Sequence, residues 1–356
     1  MPYIDDNDTH VNSNRSEDEE RVHLCTVIEQ RERMVRRKRY NLVVVGMFKN
    51  EISILREWLD HNIAIGVEHF YLIDNGSTDG CSTILYPYMH RGIVTLVTDP
   101  RRWSHGAGSY IQPGVYYDPK RSRYVSAQNR YHNTQSILLN AHFLRLVKEQ
   151  ADWVLIIDID EYIFSPLGAV SDVLRTLPNE CTDIWTPWRI FGSSGHDRQP
   201  PSVRKGFLHM RSHEDHLREA VQISGKSISR VSSIVSLNIH ECDIPDRRRM
   251  TANGQFRQCM DAWVRTYVPN CASDMFFCNH YIVMSREYFT GVKIVRGGGA
   301  HSDRYAKPDE WWERTHRECT TIDSLLLTSL GLVDEDERCR LVSAATERVI
   351  GSRVRI

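Results

Sequence analysis

Hydrophobic residues fall along this chain in short runs, separated by stretches in which they recur every third or fourth position. Leu42 to Phe48 is rich in β-branched residues and predicts a first strand buried on both faces. Ile52, Leu55, Trp58, Leu59 and Ile63 follow at helical spacing and stop at Gly66. A second strand, His69 to Ile73, closes in a turn-rich loop from Asp74 to Gly80, and Ile93 to Val97 predicts a third. Strand alternating with helix is the rhythm of a parallel sheet with right-handed crossovers. A long loop is expected from Asp99 to Arg123, either covering a cleft or tolerated as an insertion, then a helix from Tyr124 to Gln150. The apolar stripe of that helix is Ile137, Leu138, Ala141, Leu144 and Val147.

The longest apolar run, Trp153 to Phe164, carries three carboxylates within four positions, Asp158, Asp160 and Glu161. It reads as a strand covered on both faces, with Asp158 and Asp160 where it emerges. Open α/β sheets bind ligands beyond the carboxyl ends of their strands. Two carboxylates there repel and lose hydration unless a cation joins them, and a hard divalent ion carrying a diphosphate would resolve that cost. Asp158 and Asp160 are therefore the candidate metal ligands, for Mn2+ or Mg2+.

Outside these runs the chain is less informative. Residues 1–40 are mostly polar and read as a disordered arm, with helix an option from Val22 to Arg37. The basic run Arg36 to Arg39 reads as a solvated flank rather than a lipid-binding cluster, because acidic residues from Glu17 to Glu20 lie close upstream. Beyond Pro308, Trp311, Trp312, Leu325, Leu326, Leu327, Leu330 and Leu332 predict packed helices that complete the fold or make a homodimer contact. The expected organisation is an arm at 1–40, a catalytic domain at 41–300, and a helical extension at 301–356 packed on it.

Charge adds exclusions. With 45 Lys+Arg against 46 Asp+Glu, nothing favours nucleic acid or an anionic membrane surface. Nine cysteines without a CxxC pair, and no secretory h-region, favour a reducing compartment. No apolar run reaches the roughly 18 residues of a transmembrane helix, so a soluble, cytoplasmic chain of viral or bacterial type is expected.

Several motifs, taken in order, resemble glycosyltransferase family 92 and its family-2-like relatives. They are Lys49-Asn50-Glu51, Glu57-Trp58-Leu59 with His61, Gly66 to Asp79, Trp153 to Phe164, Trp188 to His196, Lys226 to His240, and Asn279-His280-Tyr281 with Ser285 and Lys293 to Gly297. The resemblance spans about residues 41–300. It implies a GT-A fold, Rossmann-like and mostly parallel with flanking helices, a divalent metal, inversion at the anomeric carbon, and a UDP- or GDP-linked sugar donor with a glycan or glycoprotein acceptor. It also implies that Asp74 contacts base or ribose, assisted by Asn75, and that His280 is the third metal ligand, with His240 and His301 as rivals. A neutral imidazole suits Mn2+ better than Mg2+.

Other assignments stay open. Lys49 and Asn50 either touch the nucleotide or shape the strand-to-helix turn, and Asp79 can cap a helix. Lys226, Lys293 and Arg296 are candidates to neutralise the departing phosphates, beside a Gly297 to Gly299 loop that could close on the donor. Glu161, Asp197, Glu214 and Glu241 are candidate bases, with Glu161 and Asp197 favoured, while Glu161 could equally orient a metal ligand from behind. Trp185, Trp188 and Phe191 either stack on a sugar or belong to the core. Two other classes compete with a glycosyltransferase. A nucleotidyltransferase would need a Gly-rich, Lys-containing phosphate loop, which Gly46 to Asn50 does not resemble, and a non-catalytic sugar-binding relative would be expected to lose an aspartate of the pair.

Overall fold

The computed structural model describes residues 38–98, 115–118, 123–126, 134–212, 225–251, 254, 256–258, 274–296 and 308–353. The chain divides into two units, Met1–Arg39 and Tyr40–Ile356, and the description below concerns the second. The expected arm up to residue 37, Glu214, Gly297 to Gly299 and His301 lie outside the described residues.

In chain order the unit opens with β1 (Tyr40–Phe48), α1 (Ile52–Ala64), β2 (His69–Asp74), α2 (Cys81–His90) and β3 (Val94–Thr98). Strand β1 is buried on both faces because its side chains alternate between two layers. Leu42 and Val44 pack with Leu55 and Trp58 of α1, whereas Val43 and Val45 pack with Leu138 and Phe143 on the opposite side. That second layer is α3 (Thr134–Gln150), which follows a two-stranded ribbon of β4 (Val115–Asp118) and β5 (Arg123–Ser126). The ribbon corrects two expectations, since the loop from Asp99 contains a strand and the helix starts at Thr134 rather than Tyr124. Residues 115–118 and 123–126 are rich in Tyr and Val and are separated by a segment beginning Pro119, which favours a hairpin over helix. Along α3, Ile137, Leu138 and Val147 are buried as expected, but Leu139 and Phe143 join them and Ala141 is exposed.

The apolar run Trp153 to Phe164 is not one strand. It forms β6 (Ala151–Ile156) and β7 (Glu161–Phe164), with α4 (Val170–Thr176) and β8 (Asp183–Phe191) following. β6 pairs with β1, whereas β7 leaves the main ladder to pair with β13. Asp158 and Asp160 therefore sit in a turn between two ladders. The later elements are α5 (Val203–Gly206), β9 (His209–Arg211), β10 (Gly225–Arg230), β11 (Arg248–Thr251), β12 (Phe256–Gln258) and β13 (Phe277–Tyr281). The path β12-β11-β8-β10-β6-β1-β2-β3 is mostly parallel, with β10 and β12 running against the rest. Strand β8 serves two ladders. Up to Pro187 it pairs with β10, and from Trp188 it pairs with β13. A proline has no N–H to give a ladder, so the change of partner falls at the residue least able to continue the first one.

The C-terminal part is less purely helical than expected. After α6 (Arg286–Tyr288), a π-helical turn at Phe289–Ile294 and α7 (Pro308–Glu318) comes β14 (Cys319–Ile322), which pairs with β9. The β-branched Thr320, Thr321 and Ile322 suit a strand, and only the partner strand reveals it. Leu326 and Leu327 of α8 (Leu325–Ser329) and Ala345 of α9 (Glu335–Arg353) enter the main core. Asp323 also pairs with the buried Arg189 of β8. Among the described residues, no helix is long and apolar enough to cross a membrane.

Two positions test this packing. A methyl group on Gly225 would stand 2.3 Å from the Thr186 carbonyl and 2.8 Å from the Trp185 ring. Gly225→Ala is expected to cost about 1–3 kcal/mol in a denaturation curve. His61 is buried and donates from Nε2 to the Ile163 carbonyl (2.7 Å), while its Nδ1 has no partner. Burial, then Arg204, pushes its imidazole down to about 3. The depressed value means stability is fully present above the unfolded pKa of 6.5 and is lost as pH falls toward 3, because only the unfolded chain takes the proton. At about 1.4 kcal/mol per pH unit, the wild type should lose about 2 kcal/mol more than His61→Gln between pH 7 and pH 5.

Candidate functional site

Three neighbouring parallel strands end on one edge. Phe48 of β1 is in register with Asp74 of β2, and Val45 of β1 with Ile156 of β6. With strands about 4.8 Å apart, the loops that follow them lie side by side on that edge. Gly46 lets β1 approach the third loop closely, since a Cβ there would stand 3.1 Å from the Ile157 carbonyl.

In that third loop, the Asp158 N–H donates to Glu161 Oε2 (2.9 Å) and the Glu161 N–H returns to the Asp158 carbonyl (3.1 Å). Glu161 thus staples the acidic turn from inside, with its side chain 0% exposed. Lys226 of β10 reaches the same place, its Nζ 3.0 Å from Asp158 Oδ2, 3.3 Å from Glu161 Oε2 and 2.8 Å from the Ile239 carbonyl. Asp158 keeps 41% of its side chain exposed, whereas Asp160 is buried. Asp160 meets Lys293 from the π-helical turn and stands 3.5 Å from His280 Nε2. Each aspartate therefore has its own buried ammonium.

The electrostatics follow from burial. Desolvation pushes Glu161 up to about 8, against the pull of Lys226, and the charges of Asp158 and Asp160 add to the rise. Desolvation also opposes ionisation of Asp160, but Lys293 and His280 outweigh it and hold that carboxyl far below its usual range. Burial lowers the His280 pKa, against the pull of Asp160 beside it. Below about pH 8 Glu161 is protonated, which leaves two aspartates against two lysines, so the formal charges of the cluster cancel. A neutral cluster by itself has little attraction for a diphosphate.

The first two loops are built as one unit. Asn50 adopts a left-handed conformation (φ 56°), its N–H donates to Ser77 Oγ (2.9 Å), and its side-chain carbonyl accepts from the Thr78 N–H (2.8 Å). Asp74 Oδ1 accepts from the Ser77 N–H (2.7 Å), which folds the loop back over the strand end. The Asn75 N–H is held by the Phe48 carbonyl (2.9 Å), and its buried Oδ1 has no partner. Asp79 caps two helices, accepting from the first residue of α1 (Ile52 N–H, 2.8 Å) and of α2 (Cys81 N–H, 3.1 Å). Lys49 is half-buried at the mouth of this pair of loops.

Other sequence candidates go elsewhere. Glu241 is bound to Arg247 (2.6 Å) and Arg249 in a cluster around the buried Asp183. Asp197 is exposed on the turn after β8, and its carbonyl accepts from the Glu287 N–H (2.8 Å). Trp185 lies under the Arg249 guanidinium and Phe191 is core, whereas Trp188 packs beside His280 (4.4 Å between ring centres) and His240 (5.4 Å). His240 Nδ1 bonds the Gly225 carbonyl (3.1 Å). Arg296 pairs with Glu51 rather than with the acidic turn. In the sequence Glu51 stands out only as part of Lys49-Asn50-Glu51. Tyr288, which donates to the same carboxylate, was not singled out at all.

Among the described residues, no three His, Cys, Asp or Glu side chains converge as a metal-ligand cluster. Asp160 and His280 are adjacent, while Asp158 points to Lys226. The donors still suit a hard divalent ion completed by a ligand's phosphates, because such ions take one or two carboxylates and share the rest with substrate. The unpartnered, buried Nδ1 of His280 shows that this imidazole is not satisfied within the protein.

A family model described as glycosyltransferase family 92 matches residues 44–258. A glycosyltransferase family 92 protein of Oryza sativa subsp. japonica is 28% identical over 169 residues, covering 46% of this chain and 24% of the rice protein, so the match spans about a quarter of that relative. Among solved structures, TarS of S. aureus in complex with UDP is similar at 16% identity and a TM-score of 0.30, over 54% of this chain and 47% of that one. A mycobacterial protein is similar at 11% identity and a TM-score of 0.28, over 83% and 76%. Scores this low do not equate the folds.

Lys226 gives the acidic turn its compensation, and its removal leaves Asp158 and the buried Glu161 without it. Lys226→Met is expected to cost about 1–3 kcal/mol in urea denaturation near pH 7, through the partners left to Asp158 and the Ile239 carbonyl, and the cost should grow as pH rises above about 8, where Glu161 ionises.

Proposed function

Since the chain belongs to glycosyltransferase family 92, we propose that it transfers a sugar from a nucleotide-diphosphate donor, UDP- or GDP-linked, to a glycan or glycoprotein acceptor, with inversion at the anomeric carbon. The observation that carries this reading is the shared edge. It joins a loop rich in donors and acceptors (Asn50, Asp74, Asn75, Ser77) to a turn bearing Asp158 and Asp160, each met by a lysine. The first suits a nucleoside and the second a diphosphate.

In this proposal Asp74, Asn75 and Asn50 hold base and ribose, with Lys49 beside them. Asp158 and Asp160, with His280 next to Asp160, hold the metal end of the diphosphate. Bound Mn2+ or Mg2+ supplies the positive charge that the near-neutral cluster lacks, stabilising the leaving diphosphate. Lys226 and Lys293, both buried, hold the two carboxylates in place, and preorganised charge at a partly buried site counts for more than in water. Glu161, fully buried and bound to the turn it closes, acts as the orienting residue. A base must reach the acceptor hydroxyl, so the exposed Asp197 is the carboxylate retained for that role. Trp188 is the aromatic residue placed to border the acceptor, because Trp185 and Phe191 are occupied by the core.

Hydrolysis and transfer can be measured on a panel of sugar nucleotides with and without Mn2+. We expect metal-dependent turnover of one donor, reduced at least ~10²-fold in Asp160→Ala. No turnover together with no nucleotide binding by calorimetry would remove this reading.

A further inference from the structure

One buried acid beside the acidic turn has a role outside metal or nucleotide contact. Glu51 is 1% exposed at the junction of β1 and α1, where its carbonyl accepts the first helical hydrogen bonds from Ile54 (3.1 Å) and Leu55 (2.9 Å). Its carboxylate accepts from the Tyr288 hydroxyl on one oxygen and pairs with the Arg296 guanidinium on the other. Tyr288 and Arg296 bracket the π-helical turn Phe289–Ile294, and Lys293 lies between them. In a π-helix the hydrogen bonds run from i to i+5, so Tyr288 and Lys293 fall on roughly one face. The same face therefore meets Glu51 at its start and Asp160 further along.

The start of the segment is fixed independently. Ser285 Oγ accepts from the Tyr288 N–H (3.1 Å) and donates to Gln199 Oε1 (2.8 Å). The far end has Arg296 on Glu51. Lys293 reaches Asp160 and the Ile282 carbonyl from within this clamped stretch. The residue preceding Glu51 is Asn50, which is bonded to Ser77 and Thr78 in the second loop. One side chain thus connects the turn that shapes the nucleotide loop to the segment that delivers an ammonium to the acidic turn.

We propose that Glu51 is a positioning residue of the transfer reaction: by holding Tyr288 and Arg296 it fixes the Ser285–Arg296 segment so that Lys293 meets Asp160. This rests on the acidic turn being the diphosphate site. Glu51 itself touches no substrate. Its loss displaces a charge from the reacting end while leaving the nucleotide loop built, so the effect falls on kcat more than on nucleotide affinity.

The test uses Glu51→Gln, which keeps the shape and an acceptor for Tyr288 but removes the ion pair, and Arg296→Gln, which removes the same pair from its less buried side. Both are checked for folding by circular dichroism. Each should lower kcat about 10–100-fold with nucleotide affinity changed less than about 2-fold, and the double variant should be no worse than either single one. A second readout is independent of activity. Acylation of Lys293 by an amine-reactive reagent, followed by peptide mass spectrometry, should be slow in the wild type and about 10-fold or more faster in both variants. Lys293 labelled at the wild-type rate in both folded variants, or additive losses in the double variant, would overturn the proposal. If the wild type turns over no sugar nucleotide, accelerated labelling still supports the clamp and the failure belongs to the functional reading.

Discussion

Packing three carboxylates into four residues at the end of a buried strand is the constraint on which the rest of this structure depends. Asp158 is half-exposed, but Asp160 and Glu161 are buried, so left to themselves the charges of those two would carry a desolvation cost of several kcal/mol each. Lys226 and Lys293 offset that cost from elements far apart in sequence, one on β10 and one on a π-helical turn after β13. Strand β10 lies antiparallel between β6 and β8, the place from which Lys226 can enter under the turn. The π-helical turn is fixed in its turn by Glu51 and Ser285. Much of the sheet's departure from a simple parallel order lies where these cations enter.

The same constraint explains why the central apolar run breaks. Continuing β6 straight through Asp158 to Glu161 would carry the carboxylates along a single ladder. Instead the chain turns, Glu161 bonds back to Asp158, and β7 joins β13. β13 brings His280 beside Asp160, and β8 carries Trp188 past both ladders just after Pro187. The acidic turn is therefore bordered by two ladders that meet at one strand, β8.

Much of this was legible from residue pattern. Strands β1, β2 and β3 and helix α1 follow their hydrophobic periods within about two residues, because each buries a face that its own sequence defines. Asp74 and the loop to Gly80 were recognisable as turn chemistry, and the double cap by Asp79 is an extension of that reading. The ribbon β4–β5 and strand β14 were not legible, since short strands are decided by their partners more than by their own residues. Glu241 and Arg296 show the corresponding limit for charges. A sequence marks a side chain as capable of chemistry, but its partner decides whether it is free for that chemistry, and here the partners are Arg249 and Glu51.

By itself the sequence determined the alternating α/β class, the order of its first strands, and the acidic pair at the end of a buried one. All three are local properties, set by the period of apolar residues and by carboxylates at a strand end. Tertiary structure alone decided that Asp158 and Asp160 face different lysines, that Glu161 points inward, and that Glu51 governs a segment more than two hundred residues away. Those outcomes depend on which strands become neighbours, and the energy of a buried charge is set by whatever the fold places within a few ångströms of it.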